Sequence, residues 1–580
     1  MEDYTTLLGK ALGYAETWWQ NPGYGSLIVH PCWSTTNLHF IGLRTSSNGE
    51  GLSGFLELYE KFRSKRWLER AIECAEVLVS LAQADGCFRN STGEGDPEEG
   101  CLIHNARPDI ELLRLAALLR RERRNSFDAS RYTHVAKRNI EWFIDHWWNG
   151  RTFCETINQD LCACIAMALY GKLEGDGRYS DYILKVIDYI EGMVQAAGEV
   201  KGAIQRSYRP GGRIFATNYQ AAKALFLLEL SEVFAEGRLL PMAKGAAAFV
   251  SRQQRPDGLF SWGYMEQEGE IVKRELPLVY SIGIARCGYE FERLGVKMDW
   301  RRYLNNILRD IPMRLAARGF AGYEEGDWRN GIPSASNISL IGFLTKLSPE
   351  EPEVIPFDGV VISEGIDAMA GEGSYVYLET AELIVRIRDD CNPALDYLAS
   401  KKAELPIAFP SMDGGVSFCV FGDERDEGWH KELVESQEGK IIYRAGKKTR
   451  TFVASGGAIT ITQHPFSSGE IYFEVLPRGS LFYCLQSEKQ GQPVSVPFTR
   501  ENGRKETILR DLEDWFTVTN WSPRLRYGDV RVSFNTAIRR LKMDHVAANP
   551  YGKLRVWVEL MPREDLTVKI EPRSGEDYMR

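Results

Sequence analysis

The stretch DLCACIAMALYG, residues 160–171, decides how the first half of this chain is read. Its small and apolar residues follow one another without a polar stripe, so a helix made of it has no wet face and must be buried on most sides. The stretch WLERAIECAEVLVSLAQ, residues 67–83, is the opposite kind: its Glu and Arg fall on one side, as in a helix with one face in water. Outward from these two, the contrast recurs. Amphipathic segments are expected near 5–20, 66–83, 129–147, 178–197, 240–254 and 300–317. Apolar, small-residue segments are expected near 49–62, 108–122, 159–172, 217–234, 276–293 and 335–346, as in NYQAAKALFLLEL (218–230) and SNISLIGFL (336–344). Six outer helices alternating with six inner ones predict an (α/α)6 toroid over residues 1–348.

A punctuation mark repeats with them. Glycine followed closely by an aromatic or apolar residue appears at DGCF (85–88), NGRTF (149–153), KGAI (201–204), DGLF (257–260) and RGFAGY (318–323). These glycines lie roughly 50 to 65 residues apart, the period of one hairpin unit in a repeat fold. After EEPEVIPFDG, residues 350–359, the texture becomes alternating and β-rich, as in KIIYRAG, TRTFVAS, AITITQH and KLRVWVEL. Residues 349–580 are therefore expected to form an antiparallel β-sandwich.

Composition excludes several classes. A formal charge of -9 argues against a nucleic-acid or membrane-surface protein, which usually carries a basic face. The first residues, MEDYTTLLGKALGYAETWW, lack the basic and apolar regions of a secretory signal, and no apolar run is long enough to span a membrane. The eleven cysteines show no CxxC pairing, which fits reduced thiols in a cytoplasm. Cys162 and Cys164 fall on different helix faces and read as small buried residues, not zinc ligands. The acidic run EGDPEEG (94–100) lacks the ligand spacing of a calcium loop. No metal or cofactor is expected, and oligomeric state is not legible.

In a toroid the connections from outer to inner helices gather at one end. Here they are long: 21–48, 84–107, 148–158, 198–216, 255–275 and 318–334, and long loops in a compact domain are usually functional. They bring Trp33 and His39; His104, Asn105 and Arg107, just ahead of a helix expected to start at Pro108; Glu155 and Asp160; Arg206, Arg209, Arg213, Asn218 and Tyr219; Trp262; and Tyr323, Asp327 and Trp328. Rings interleaved with Arg, Asn and carboxylates suit a sugar cleft, since rings stack on pyranose faces and planar donors meet hydroxyls and carboxylates. Asn218 also has a plain reading as a helix cap, and His39 a structural one.

A helical-hairpin toroid followed by an antiparallel β-domain resembles the polysaccharide lyases of the heparinase and chondroitin-lyase type, in architecture and not in motif. That resemblance implies an Asn with a His or Arg neutralising a uronate carboxylate, and a Tyr or His moving the C5 proton. By residue type and position the equivalents are Asn105 with His104 or Arg107, and Tyr219 or Tyr323. Substrate contacts are expected from Arg107, Arg206, Arg209, Arg213, Asn218, Trp33, His39, Trp262 and Trp328. The expected function is cleavage of an acidic oligo- or polysaccharide by β-elimination. Hydrolysis, using Glu155, Asp160 or Asp327 as the carboxylate pair, is the alternative within the class. A non-catalytic glycan-binding protein and a terpene-cyclase-like ring are the alternatives outside it.

Overall fold

The computed structural model describes residues 3–17, 45–88, 102–122, 128–154, 156–206, 213–278, 281–308 and 333–357 of the helical part. Beyond it the described residues are 361–367, 373–388, 393–400, 420–421, 428–435, 439–455, 457–466, 470–475, 482–499, 507–521, 530–546, 553–560 and 564–572. In chain order the helices are α1 (Tyr4–Thr17), α2 (Thr45–Phe62), α3 (Lys65–Leu81), α4 (Leu102–Arg121), α5 (Ala129–Trp147) and α6 (Ile157–Glu174). They continue with α7 (Ser180–Met193), α8 (Thr217–Val233), α9 (Leu239–Arg252), α10 (Ile282–Glu292), α11 (Trp300–Leu308) and α12 (Pro333–Leu347).

The even-numbered helices form a closed circuit: α2 packs on α4, α4 on α6, α6 on α8, α8 on α10, α10 on α12 and α12 back on α2. Each odd-numbered helix from α3 onward packs on the even one before it, and α1 packs on α12. The alternation read in the sequence is thus an inner and an outer set. In α6, Cys162, Ala163, Cys164, Ile165, Ala166 and Met167 are all fully buried, which is why that stretch carries no polar stripe. A buried Ile, Leu or Met of this kind stabilises by about 1.5–3 kcal/mol over its exposed state. Inner-to-outer connections are short, such as Arg63 and Ser64 between α2 and α3, so the long connections gather at the other end.

Two boundaries differ from the expectation. Helix α4 begins at Leu102, and Pro108 lies inside it, so His104, Asn105 and Arg107 are helical residues and not a loop ahead of one. The proline is accommodated because α2 presents Gly49 there: a Cβ on Gly49 would stand 3.3 Å from the Pro108 Cα. Helix α10 begins at Ile282, later than expected, because the residues up to Leu278 belong to a strand. That strand is β3 (Glu270–Leu278), which with β1 (Ile214–Ala216) and β2 (Phe260–Gln267) makes a three-stranded antiparallel sheet between helices.

The helical part leaves along a strap. Residues 351–357 run against α1, where Gly9 and Gly13 allow backbone contact; Ile355 N–H donates to the Gly9 carbonyl at 3.1 Å, and Tyr14 meets Phe357 edge to face. Glu351 accepts from the Arg66 Nε and the Trp67 Nε1 at 3.0 Å each. Strands follow from Val361 onward, in antiparallel sheets of nine, five and four strands among the described residues. All three contribute to one apolar core, through Val385 and Leu398 of the four-stranded sheet, Phe452 and Ile461 of the nine-stranded one, and Phe473 and Val558 of the five-stranded one. Among the described residues no helix is long and apolar enough to cross a membrane.

Candidate functional site

Four turns that follow outer helices are built alike, while RGFAGY (318–323) lies outside the described residues. Gly86, Gly150, Gly202 and Gly258 all have positive φ (110°, 94°, 82° and 88°), so the repeated glycine marks a left-handed residue that other side chains adopt only with strain. In three of these units a buried polar residue in the next inner helix holds the turn. Asn105 Oδ1 accepts from Phe88 N–H at 3.2 Å and from Asn139 Nδ2 at 2.9 Å. Asp160 Oδ1 accepts from Phe153 N–H at 3.0 Å and Cys154 N–H at 2.9 Å. Gln220 accepts from Ile204 N–H at 2.8 Å and donates back to its carbonyl at 2.6 Å. Asn105 and Asp160 are fully buried. The structure therefore places both in the wall, between helix and turn, and not at the rim where the sequence suggested catalysis. Burial raises the Asp160 carboxyl to about 7, against the two N–H groups that favour its charge.

The lumen holds charges that sequence reading passed over. Arg114 of α4 grips Glu111 through Nη1 at 3.1 and 3.2 Å, and reaches across to Glu229 of α8 through Nη2 at 2.6 Å. Arg286 of α10 reaches Glu57 of α2 at 3.0 Å. Both bridges join inner helices that are not neighbours in the circuit, so they cross the middle of the ring. A turn nearer the helix start, Arg107 lies 5.9 Å from the Phe226 ring of α8 and 3.6 Å from Glu111, whose oxygens already serve Arg114. Among the described residues no hydrogen bond reaches the Arg107 guanidinium, yet it is enclosed by the ring and keeps 19% of its side chain accessible. Burial opposes its charge, and Glu111 and Glu229 more than offset that. Burial pushes the neighbouring Cys162 thiol up to about 12, so no thiolate competes for Arg107. The available signal in the sequence was the i, i+3 pair Glu111 and Arg114 inside an otherwise apolar helix, since buried charges must be paired.

At the start of α8, Arg206 stands 5.0 Å from the ring of Tyr219, and both are half-buried. Asn218 is the second residue of α8, whose cap position is Ala216, so it is no N-cap. Arg213 takes its own partner, Glu266 of β2, at 3.8 Å. Trp262 is 7% exposed and packs in the helical core with Arg274 beside its ring, so the expected sugar platform is spent on packing. His104 is half-buried on α4. Trp33, His39, Glu155, Arg209, Tyr323, Asp327 and Trp328 lie outside the described residues.

A cavity of about 630 Å³ opens at the opposite end of the ring, lined by Lys61, Tyr289, Glu290, Glu292, Arg293 and Lys346. Its charges are largely spent: Lys346 and Arg293 share Glu290, and Lys61 donates to the Thr345 and Lys346 carbonyls that end α12. Among the described residues no group of three His, Cys, Asp or Glu is placed to hold a metal.

No family model matches the chain, and no curated protein matches it. Solved structures do. An inactive variant of an alpha-1,6-mannanase from a Salegentibacter species, in complex with alpha-1,6-mannotetrose, is 13% identical with a TM-score of 0.38, over 60% of this chain and 100% of that one. A cellobiose 2-epimerase from Bacillus thermoamylovorans is 13% identical with a TM-score of 0.41, over 59% of this chain and 99% of that one. A family 88 glycosyl hydrolase from Bacteroides vulgatus is 13% identical with a TM-score of 0.39, over 60% and 99%. Likeness this distant assigns no activity to the chain.

Proposed function

We propose that this protein is a carbohydrate-active enzyme that binds a uronate-containing oligo- or polysaccharide at the end of the ring where the inner helices begin, and cleaves it by β-elimination. The observation that carries the reading is Arg107: an enclosed, charged guanidinium with accessible surface and no hydrogen-bond partner among the described residues. A guanidinium 3.6 Å from Glu111, with no hydrogen bond from the described residues, suits a carboxylate, which a planar fork meets with two parallel bonds. Arg206, over Tyr219, adds a second cation at the same end.

Elimination needs little else. Neutralising the carboxylate stabilises the enolate-like charge that develops when the C5 proton leaves. Tyr219 or His104 takes that proton, the C4–O bond breaks with a proton delivered to the leaving oxygen, and a double bond forms between C4 and C5. The carboxylates described in the lumen, Glu57, Glu111 and Glu229, are each paired with an arginine, which fits them as braces better than as the free acid and base of a hydrolase.

The test is incubation with glucuronate-, galacturonate- and mannuronate-containing polysaccharides beside neutral mannan and xylan, following ultraviolet absorbance and product mass. Unsaturated products from a uronate polymer, and a KM raised at least about 10-fold in Arg107→Met, are expected. Products heavier by one water and lacking the chromophore would turn the assignment to hydrolysis, with Glu155 and Asp327 next to be examined.

A further inference from the structure

The segment that carries Arg206 is fixed at three consecutive residues by groups beneath it. The Ile204 carbonyl accepts from Gln220 Nε2 at 2.6 Å and from Lys223 Nζ at 2.8 Å; the Gln205 carbonyl accepts from Lys223 Nζ at 2.9 Å; the Arg206 carbonyl accepts from Ile157 N–H at 3.3 Å. Lys223 is fully buried on α8, one turn beyond Tyr219. A lysine placed there has no access to substrate, and a leucine or methionine would fill the volume. Its distinguishing contribution is the pair of N–H groups that meet two successive carbonyls.

We propose that Lys223 is a positioning residue, which holds the 204–206 backbone so that the Arg206 guanidinium stays over the Tyr219 ring; the assignment rests on reading this end of the ring as an acidic-saccharide site. A neutral amine carries two N–H groups, and the two carbonyls use both. Burial, with the Arg206 charge nearby, holds the amine well below the usual lysine range, which fits that neutral form. Lys223 and Tyr219 share one helix, so the lysine ties the loop-borne cation to the helix-borne hydroxyl through a rigid element. A displacement of about 1 Å at such a pair is enough to cost a large factor in rate.

The experiment is a double-mutant cycle with Lys223→Met and Arg206→Met, read as kcat/KM on the uronate polymer that the wild type cleaves, beside amide exchange of the 200–206 segment and Ile157. Each single variant is expected to lose about 10-fold or more. The double variant is expected to match Arg206→Met within about 2-fold, because Lys223 acts through Arg206. Lys223→Gln, which keeps a two-hydrogen donor, should recover part of the rate, and guards against loss of fold in the methionine variant. Faster exchange at 204–206 in Lys223→Met is expected as well. Additive losses in the cycle, or unchanged exchange, would overturn the positioning role while leaving the site reading intact. A wild type inert on every uronate polymer would overturn the site reading and this assignment with it.

Discussion

A Cβ placed on Gly13 would stand 1.6 Å from the carbonyl oxygen of Ile355, so helix α1 and the strap leaving the ring touch backbone to backbone. Gly9, one turn earlier, makes the same approach to Glu353 at 2.3 Å. The strap is thereby seated in a groove that only glycines leave open.

Gly13→Ala should therefore destabilise the protein, although alanine gains about 1 kcal/mol of helix propensity over glycine. Thermal unfolding with limited proteolysis of the strap checks this. A melting temperature at or above that of the wild type, with the strap still protected, would refute the seating.

Asp160 predicts a pH dependence with a definite sign. Burial pushes its carboxyl up to about 7, from the ordinary aspartate value of 3.8, so its contribution is fully present below about pH 4 and is lost as pH rises through 7. Asp160→Asn keeps the acceptor for Phe153 and Cys154 and removes the titration; Asn105 already fills the equivalent role in another hairpin. The variant should gain on the wild type between pH 4 and 8 by up to about 4 kcal/mol, at 1.36 kcal/mol per pKa unit. Parallel stability curves for the two proteins over that range would refute it.

Among the described residues, Arg114→Met strands Glu229, and leaves the fully buried Glu111 with only Arg107 at 3.6 Å. Removing one partner from a fully buried pair typically costs about 3–5 kcal/mol, and with Arg114 and Glu229 both partly open to the lumen the expected cost is about 2–3 kcal/mol. Denaturant unfolding should show a loss of that order, and a change below about 1 kcal/mol would mean that lumen water replaces the bridge.

Asn105→Leu should cost about 2–4 kcal/mol, since Phe88 N–H and the Asn139 amide lose their acceptor inside the wall. Asn105→Asp should cost less at about pH 4 and below, where the carboxyl is protonated and its carbonyl oxygen accepts both without a buried charge. Equal melting of the two variants would argue against the clamp.

Helix alternation and the glycine punctuation were legible because both are local consequences of burial and backbone conformation: α6 shows its place through the absence of polar residues, and Gly86 through the turn it closes. The start of α4 was misplaced because a proline normally opens a helix, and the Gly49 contact that admits Pro108 comes from α2, far away in sequence. The site was less legible for the same kind of reason. Asn105 and Arg107 are two residues apart and look like one polar cluster, yet helix geometry sends the first outward to α5 and the second inward to α8. Which face holds a turn and which faces the lumen depends on partners that only the closed ring supplies.

The punctuating turns bear on how such a protein can be rebuilt. The turn after α3 is covered by α5, where a Cβ on Gly86 would meet the Arg138 carbonyl at 2.5 Å and Asn139 donates to the Gly86 carbonyl. The turn after α7 is covered by α9, through Gly202 and Gly245, and the turn after α9 by α11, through Gly258 and Arg302. Each of these three turns is thus fastened by the hairpin that follows it. At these three places the smallest transplantable cassette is consequently the turn together with the next outer helix, and a chimera that exchanges one of these turns singly breaks its fastening.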